Sequence, residues 1–140
     1  MKTVTAALAA LTLATAAPAL AVEPSRLTLT FETGAPTGAV MVALYDSEAA
    51  WSDGAPVRSA RLDVAAGQRT ATFDDLPAGD YGMKAYHDVN GDGTMNTNPF
   101  GMPTEPYAFS NNAVGNMGPA RWDRARFAVP GTTAQTIVIR

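Results

Sequence analysis

The sequence contains no cysteine and a single histidine among its 140 residues. The first absence excludes a disulfide framework, a zinc knuckle and thiol catalysis together. The second excludes any mechanism that needs several imidazoles as metal ligands or proton carriers. Basic residues are scarce as well: 10 Lys and Arg face 13 Asp and Glu, a net charge of -3. That leaves no basic footprint for a phosphate backbone, so nucleic acid is excluded as a partner. Charged residues make up 16% and hydrophobic residues 46%, the composition of a globular chain rather than a disordered one.

Long apolar runs are also lacking after the first stretch, MKTVTAALAALTLATAAPALA. That stretch has Lys2 at its start, an apolar middle and a small-x-small ending at Ala19-Leu20-Ala21, the pattern of a secretory signal cleaved near Ala21. Thr residues and Pro18 interrupt it before it reaches the ~20 apolar residues that a membrane span needs. The expectation is a signal peptide over 1–21, a single domain over 22–140 with no membrane span, and a periplasmic or extracellular location.

The remaining chain has a period of two, not 3.6. Leu27, Leu29 and Phe31 alternate with Arg26, Thr28, Thr30 and Glu32, as in a strand with one wet face. Ala39 to Tyr45 is a near-continuous apolar run, the mark of a central strand. Further alternation marks Ala60 to Val64, Thr70 to Phe73, Tyr81 to His87, Ala125 to Val129, and Ile137 with Ile139. Ser47 is placed to cap a short helical turn that Gly54 ends. These elements predict an all-β fold, an antiparallel seven-stranded sandwich of two sheets with one long ordered loop. The order FDDLPAGDYGMKAYHD resembles the hairpin of transthyretin-like and immunoglobulin-like modules.

The loop is expected over 88–119, where periodicity gives way to Asn, Gly, Pro and Met. Loops of this length in a compact domain are usually functional or disordered. Phe100, Met102, Tyr107, Phe109 and Met117 supply apolar anchors that predict a compact excursion folded back on the sandwich. Inside it, Asp88, Asn90 and Asp92 occupy alternate positions and Gly93 follows. This is the first half of a calcium-loop pattern, in which alternate oxygens converge on one ion and Gly permits the sharp turn. Thr94 would offer its carbonyl and Asn96 its side chain; Pro99 stands where a bidentate Glu is needed, so Glu105 would have to fold back. With so few carboxylates, affinity for Ca2+ would be on the order of 0.1 to 1 mM. The same residues also build successive turns through their own backbone, with no ion.

The segment HDVNGDGTMNTNPFGMPTEPYAFSNNAVGNMGPARWDRARFAV resembles the signature of an exported bacterial family catalogued as domain of unknown function 2141. The family pattern of Glu-x-Tyr-x-Phe-Ser-Asn-Asn reads here as Glu105, Tyr107, Phe109, Ser110, Asn111 and Asn112. Members often carry Asp where this chain has Asn96, which removes a carboxylate from the candidate metal site. The resemblance implies an exported small sandwich with this loop, but no activity.

Three functions follow as alternatives. His87, Asp88 and Ser110 invite a hydrolase reading, which requires the serine beside the imidazole and a third group orienting it. Asp88 and Glu105 as a glycosidase pair would need a deeper cleft than this small domain offers. His87, at the end of an apolar strand face, equally serves as a packed residue whose ring pins a neighbouring loop. A binding module is favoured, with a protein or carbohydrate partner in the envelope met by the loop, by a sheet edge, or by Trp51, Tyr86, Tyr107 and Trp122. Of these rings Trp122, flanked by Arg121, Asp123 and Arg124, has the best claim to exposure. A purely structural envelope role is the third alternative.

Overall fold

The computed structural model describes residues 24–140; the expected signal segment 1–21 lies outside them. Among the described residues eight strands form, in the order β1 (Ser25–Glu32), β2 (Ala39–Tyr45), β3 (Arg58–Asp63), β4 (Thr70–Leu76), β5 (Gly79–Asp88), β6 (Tyr107–Phe109), β7 (Phe127–Val129) and β8 (Thr132–Val138). A short helix α1 (Glu48–Asp53) follows β2, and a single turn of helix α2 (Trp122–Ala125) precedes β7. One sheet runs β4-β1-β8 and the other β3-β2-β5-β6, with β7 pairing the start of β5. The fold is an all-β sandwich.

Alternation decides which face each strand buries. Leu27, Leu29 and Phe31 of β1 are buried, with Thr28 and Thr30 half-buried between them and Arg26 and Glu32 exposed on either side. They meet Val40, Val42 and Leu44 of β2, Phe73 of β4, Met83 of β5 and Ile137 of β8 in one core. At ~25 cal/mol per Å2 of apolar surface removed from water, this contact between layers is the main force holding the sheets together. Tyr81 is buried at its edge, and its hydroxyl donates to the Pro77 carbonyl at 2.6 Å across the β4–β5 turn.

Two departures from the sequence expectation concern the sheets. The strand count is eight rather than seven, because β6 lies inside the stretch 88–119 expected as loop. Three residues between Pro106 and a Ser-Asn-Asn turn are too few to show a period. The sandwich is also not wholly antiparallel: β1 and β8 pair in parallel, Arg26 opposite Thr132 through Glu32 opposite Val138. Every other ladder is antiparallel.

A second apolar cluster lies outside the main core: Trp51, Phe109, Ala120 and Ala125, with Tyr45 and Trp122 packed against it. The Ser47 hydroxyl accepts from the Ala50 N–H and starts α1, and the Gly54 N–H returns to the Ala50 carbonyl and ends it, as expected of that segment. Its Trp51 then donates from Nε1 to the Ala120 carbonyl at 3.0 Å. Trp122 is half-buried rather than exposed, its ring 5.9 Å from that of Trp51. Both indoles close over Gly82, where a Cβ would come within 2.8 Å of Trp122 and 2.9 Å of Trp51. The flanking charges at Arg121, Asp123 and Arg124 are themselves exposed and say nothing of the ring between them.

Candidate functional site

The segment 89–106 is the connection of a β-hairpin. At its base Tyr86 of β5 pairs with Tyr107 of β6, and the His87 N–H donates to the Pro106 carbonyl at 2.8 Å. Two carboxylates at this base organise the loop from within. Asp88 is 1% exposed and Glu105 8%. Asp88 accepts at Oδ1 from the N–H groups of Gly91 (2.8 Å) and Asp92 (3.1 Å), and at Oδ2 from Gly93 (2.8 Å). Glu105 accepts at one oxygen from Val89 and at the other from Asn96, both at 3.1 Å. A buried carboxylate is tolerated when donors surround it, and an ionised carboxyl group is an acceptor on all its lone pairs. Each of the four oxygens faces backbone N–H, so these two side chains replace the ladder that a regular strand would supply.

Asn90, Asp92 and Asn96 form a second layer on the open side of the loop. The Asp92 carboxylate accepts from the Thr94 N–H and the Asn96 amide, both at 2.9 Å, and from Asn90 at 3.4 Å. Asn90 also donates to the Asn96 side-chain oxygen at 2.9 Å. The Asn96 amide, followed by the Thr94 N–H, holds the Asp92 carboxyl below the usual aspartate range. Gly91 and Gly93 have φ of +74° and +78°, the left-handed conformation that lets successive amides turn inward onto Asp88. Thr94 itself is exposed.

Beyond this layer the chain makes a small hairpin of its own. Thr97 bridges Pro103, Asn98 N–H donates to the Met102 carbonyl (2.8 Å), and Thr104 N–H to the Asn96 carbonyl (2.9 Å). The Asn98 side chain caps the tip by accepting from Phe100 and Met102 N–H at 2.9 and 3.0 Å. The tip therefore has a defined backbone, and from it Phe100 projects 90% exposed and Met102 60%. Asn98-Pro99-Phe100-Gly101 is a turn signature that sequence reading could have used to place this tip.

The expected apolar anchoring of the loop is thus overturned. Phe100, Met102 and Met117 point to solvent and Tyr107 is partly exposed; of the five residues only Phe109 is buried. Charged Asp88 and Glu105 hold the loop down instead, because their burial is compensated by donors on the loop itself.

The remaining motif residues act as ties. His87 is fully buried and its Nε2 meets the Thr37 carbonyl at 2.6 Å, fastening the β1–β2 turn to the end of β5. Gly38 in that turn, φ +72°, lies so close to Asp88 that a Cβ would overlap the Asp88 carbonyl oxygen. Ser110 accepts from Met83 N–H at 2.9 Å and donates to the Ala125 carbonyl. Asn111 donates to the Arg124 and Arg126 carbonyls, both at 3.0 Å. Asn112 reaches β8. Ser110 and His87 are therefore engaged with different partners, at Met83 and at Thr37 respectively. Among the described residues no group of three or more His, Asp or Glu side chains converges as a metal cluster, and no helix is long and apolar enough to cross a membrane.

Comparison with curated proteins gives no match, and comparison with solved structures gives none either. A family model described as an uncharacterized protein conserved in bacteria matches residues 32–138, from the end of β1 to the end of β8. The chain belongs to that bacterial family, domain of unknown function 2141.

Proposed function

We propose that this chain is an exported binding module of the bacterial envelope, periplasmic or extracellular, that uses the sandwich as a rigid mount and the 89–106 loop as its reader. The observation that carries this reading is Phe100, 90% exposed at the tip of a loop whose backbone is held by buried carboxylates. A large ring left in water is unfavourable for the isolated protein, and a preformed tip loses little conformational freedom when it binds. Aromatic residues in such positions are the usual anchors of interfaces. The tip carries no charge from Thr94 to Thr104, so it suits an apolar pocket on a protein partner better than a polar glycan. Export rests on Lys2, the apolar stretch after it and the Ala19-Leu20-Ala21 ending.

The test compares the wild-type chain with Phe100→Ser/Met102→Ser as bait for envelope proteins, followed by a direct affinity measurement on whatever is captured. The reading expects at least a tenfold weaker affinity for the double variant, as for loss of one anchor contributing ~1.4 kcal/mol or more. Equal affinity would remove the tip from the interface.

A weak Ca2+ site is the second reading, and Asp92 favours it: its carboxylate lies on the open side of the loop beside the Asn90 and Asn96 amides. Asp88 and Glu105 would have to exchange backbone donors for the ion to join it, and Asp92 would have to give up its bonds from the Thr94 N–H and the Asn90 and Asn96 amides, so of the three carboxylates only that of Asp92 is on the exposed side. Thermal melts across a calcium series, with magnesium as control, decide this reading: a calcium-specific rise in Tm supports it and a flat response removes it.

A further inference from the structure

Six asparagines occur in the chain, and Asn90 alone is followed by glycine. An asparagine in that setting holds an electrophile and a nucleophile within one short ring. The electrophile is its side-chain carbonyl carbon, Cγ, and the nucleophile is the backbone nitrogen of the next residue, which glycine leaves uncrowded because it has no Cβ. The nitrogen gives its proton to solvent and attacks Cγ, forming the N–Cγ bond of a succinimide. The Cγ–Nδ2 bond breaks, and Nδ2 takes a proton from solvent and leaves as ammonia. Water then opens the ring at either carbonyl, giving aspartate where the N–Cγ bond breaks and isoaspartate where the backbone C–N bond breaks. Water is the one co-reactant.

Two features of the loop favour this reaction at Asn90. The residue is exposed, so water reaches it. Its side-chain oxygen accepts from the Asp92 N–H at 3.1 Å. That bond folds the side chain forward over the Gly91 peptide and sets a donor on the oxygen that gains negative charge when Cγ is attacked. A third feature opposes the reaction. The N–H of Gly91, on the attacking atom itself, donates to Asp88 Oδ1 at 2.8 Å in a part-buried bond. This turns the nitrogen's proton toward a buried carboxylate that the Asp92 and Gly93 N–H groups also hold in place. Losing that proton would set one negative charge against another with little water between them.

We infer that Asn90 is a self-modification site, poised for succinimide formation and held latent by the Asp88 carboxylate on the Gly91 amide. The change is irreversible and its effect is local. An aspartate at position 90 loses the amide that donates to Asp92 and Asn96 and sets a second carboxylate beside that of Asp92. Isoaspartate adds a methylene to the main chain and shifts the Gly91 amide away from Asp88. Either product loosens the loop, whatever the loop binds, so each opening of the loop risks being recorded as a covalent change.

The experiment incubates the purified chain in mildly alkaline buffer and follows the peptide that contains Asn90 by mass spectrometry, for the mass gained when OH replaces NH2. Fragmentation assigns the position, and far-UV circular dichroism checks that each variant is folded. The wild-type chain is expected to react at least tenfold more slowly when folded than when unfolded in urea, a difference of ~1.4 kcal/mol in the barrier. Folded Asp88→Ala is expected to react several-fold faster than folded wild type. Asp88→Asn, which keeps an oxygen on the Gly91 N–H without the charge, is expected to fall between them and decides the matter if Asp88→Ala does not fold. Glu105→Gln loosens the loop at Val89 and Asn96 but leaves the Gly91 bond, and is expected to stay near the wild-type rate. The inference is overturned if folded wild type reacts as fast as unfolded chain, if neither Asp88 variant reacts faster than wild type, or if Glu105→Gln speeds the reaction as much as they do.

Discussion

Replacing Asp88 by Asn exchanges one carboxylate oxygen for an NH2 group, and the geometry makes this near-isosteric change almost as damaging as Asp88→Ala. Both oxygens of Asp88 face backbone donors, Gly91 and Asp92 on one and Gly93 on the other. Hydrogen bonds to a charged group contribute ~1.5–3 kcal/mol each. They do not add here, because Gly91, Asp92 and Gly93 are exposed residues whose part-buried amides recover water once the loop opens. Asp88→Ala should therefore lose roughly 2–4 kcal/mol. In the better of its two amide orientations, Asp88→Asn keeps the Gly91 and Asp92 bonds but sets its NH2 against the Gly93 N–H, a loss of roughly 1.5–3 kcal/mol. For a domain of this size that lowers Tm by about 5–12 °C. Urea titration followed by Trp51 and Trp122 fluorescence measures both variants, and amide exchange at Gly91 and Gly93 reports whether the loss is local to the loop. An Asp88→Asn protein within ~0.5 kcal/mol of wild type would refute the reasoning, since a residue that only forms a turn serves as well as Asn.

Glu105→Gln repeats the logic at the other carboxylate, where Val89 and Asn96 N–H face separate oxygens; urea titration should show a loss of roughly 1–3 kcal/mol. Gly82→Ala pushes a methyl into Trp51 and Trp122, and overpacking of this kind should lower stability by ~1–3 kcal/mol with a shift in tryptophan emission. Asp92 has its pKa depressed by Asn96 first and by Thr94 second. Its contribution to loop order is therefore present above the ordinary aspartate pKa and is lost as pH falls through the lower native value. The amide resonances of Thr94 and Asn96 should follow that titration, and Asp92→Asn should abolish it.

Much of the sandwich was legible in the sequence, and the reason is periodicity. Leu27, Leu29 and Phe31, or Ala71 and Phe73, show their buried face within five residues. The parallel pairing of β1 with β8 was not legible, because nothing local records which way a distant strand runs. β6 escaped because three residues hold no period. In the loop the residue types that matter were found, and the turn-forming alternative has Asp88 bonding the amides after it, as it does; the apolar residues are the ones whose role is inverted. Asp88 and Glu105 look like solvent-facing ligands in a string of letters, and Phe100 and Met102 look like anchors. Only the fold reveals that Glu105 bonds the amides of Val89 and Asn96, 16 and 9 positions away. Ser110, Asn111 and Asn112 were singled out by family resemblance; their ties to β5, α2 and β8 depend on backbone groups that carry no sequence signal.

Hydrogen exchange of the loop amides in the metal-free protein tests the central claim, that two buried carboxylates hold the reader loop without an ion. The N–H groups of Val89, Gly91, Gly93 and Asn96 are the ones to follow, in chelator and then with calcium added. The account predicts slow exchange at all four in chelator and no further slowing with calcium. Fast exchange in chelator, with protection appearing only when calcium is added, would contradict it.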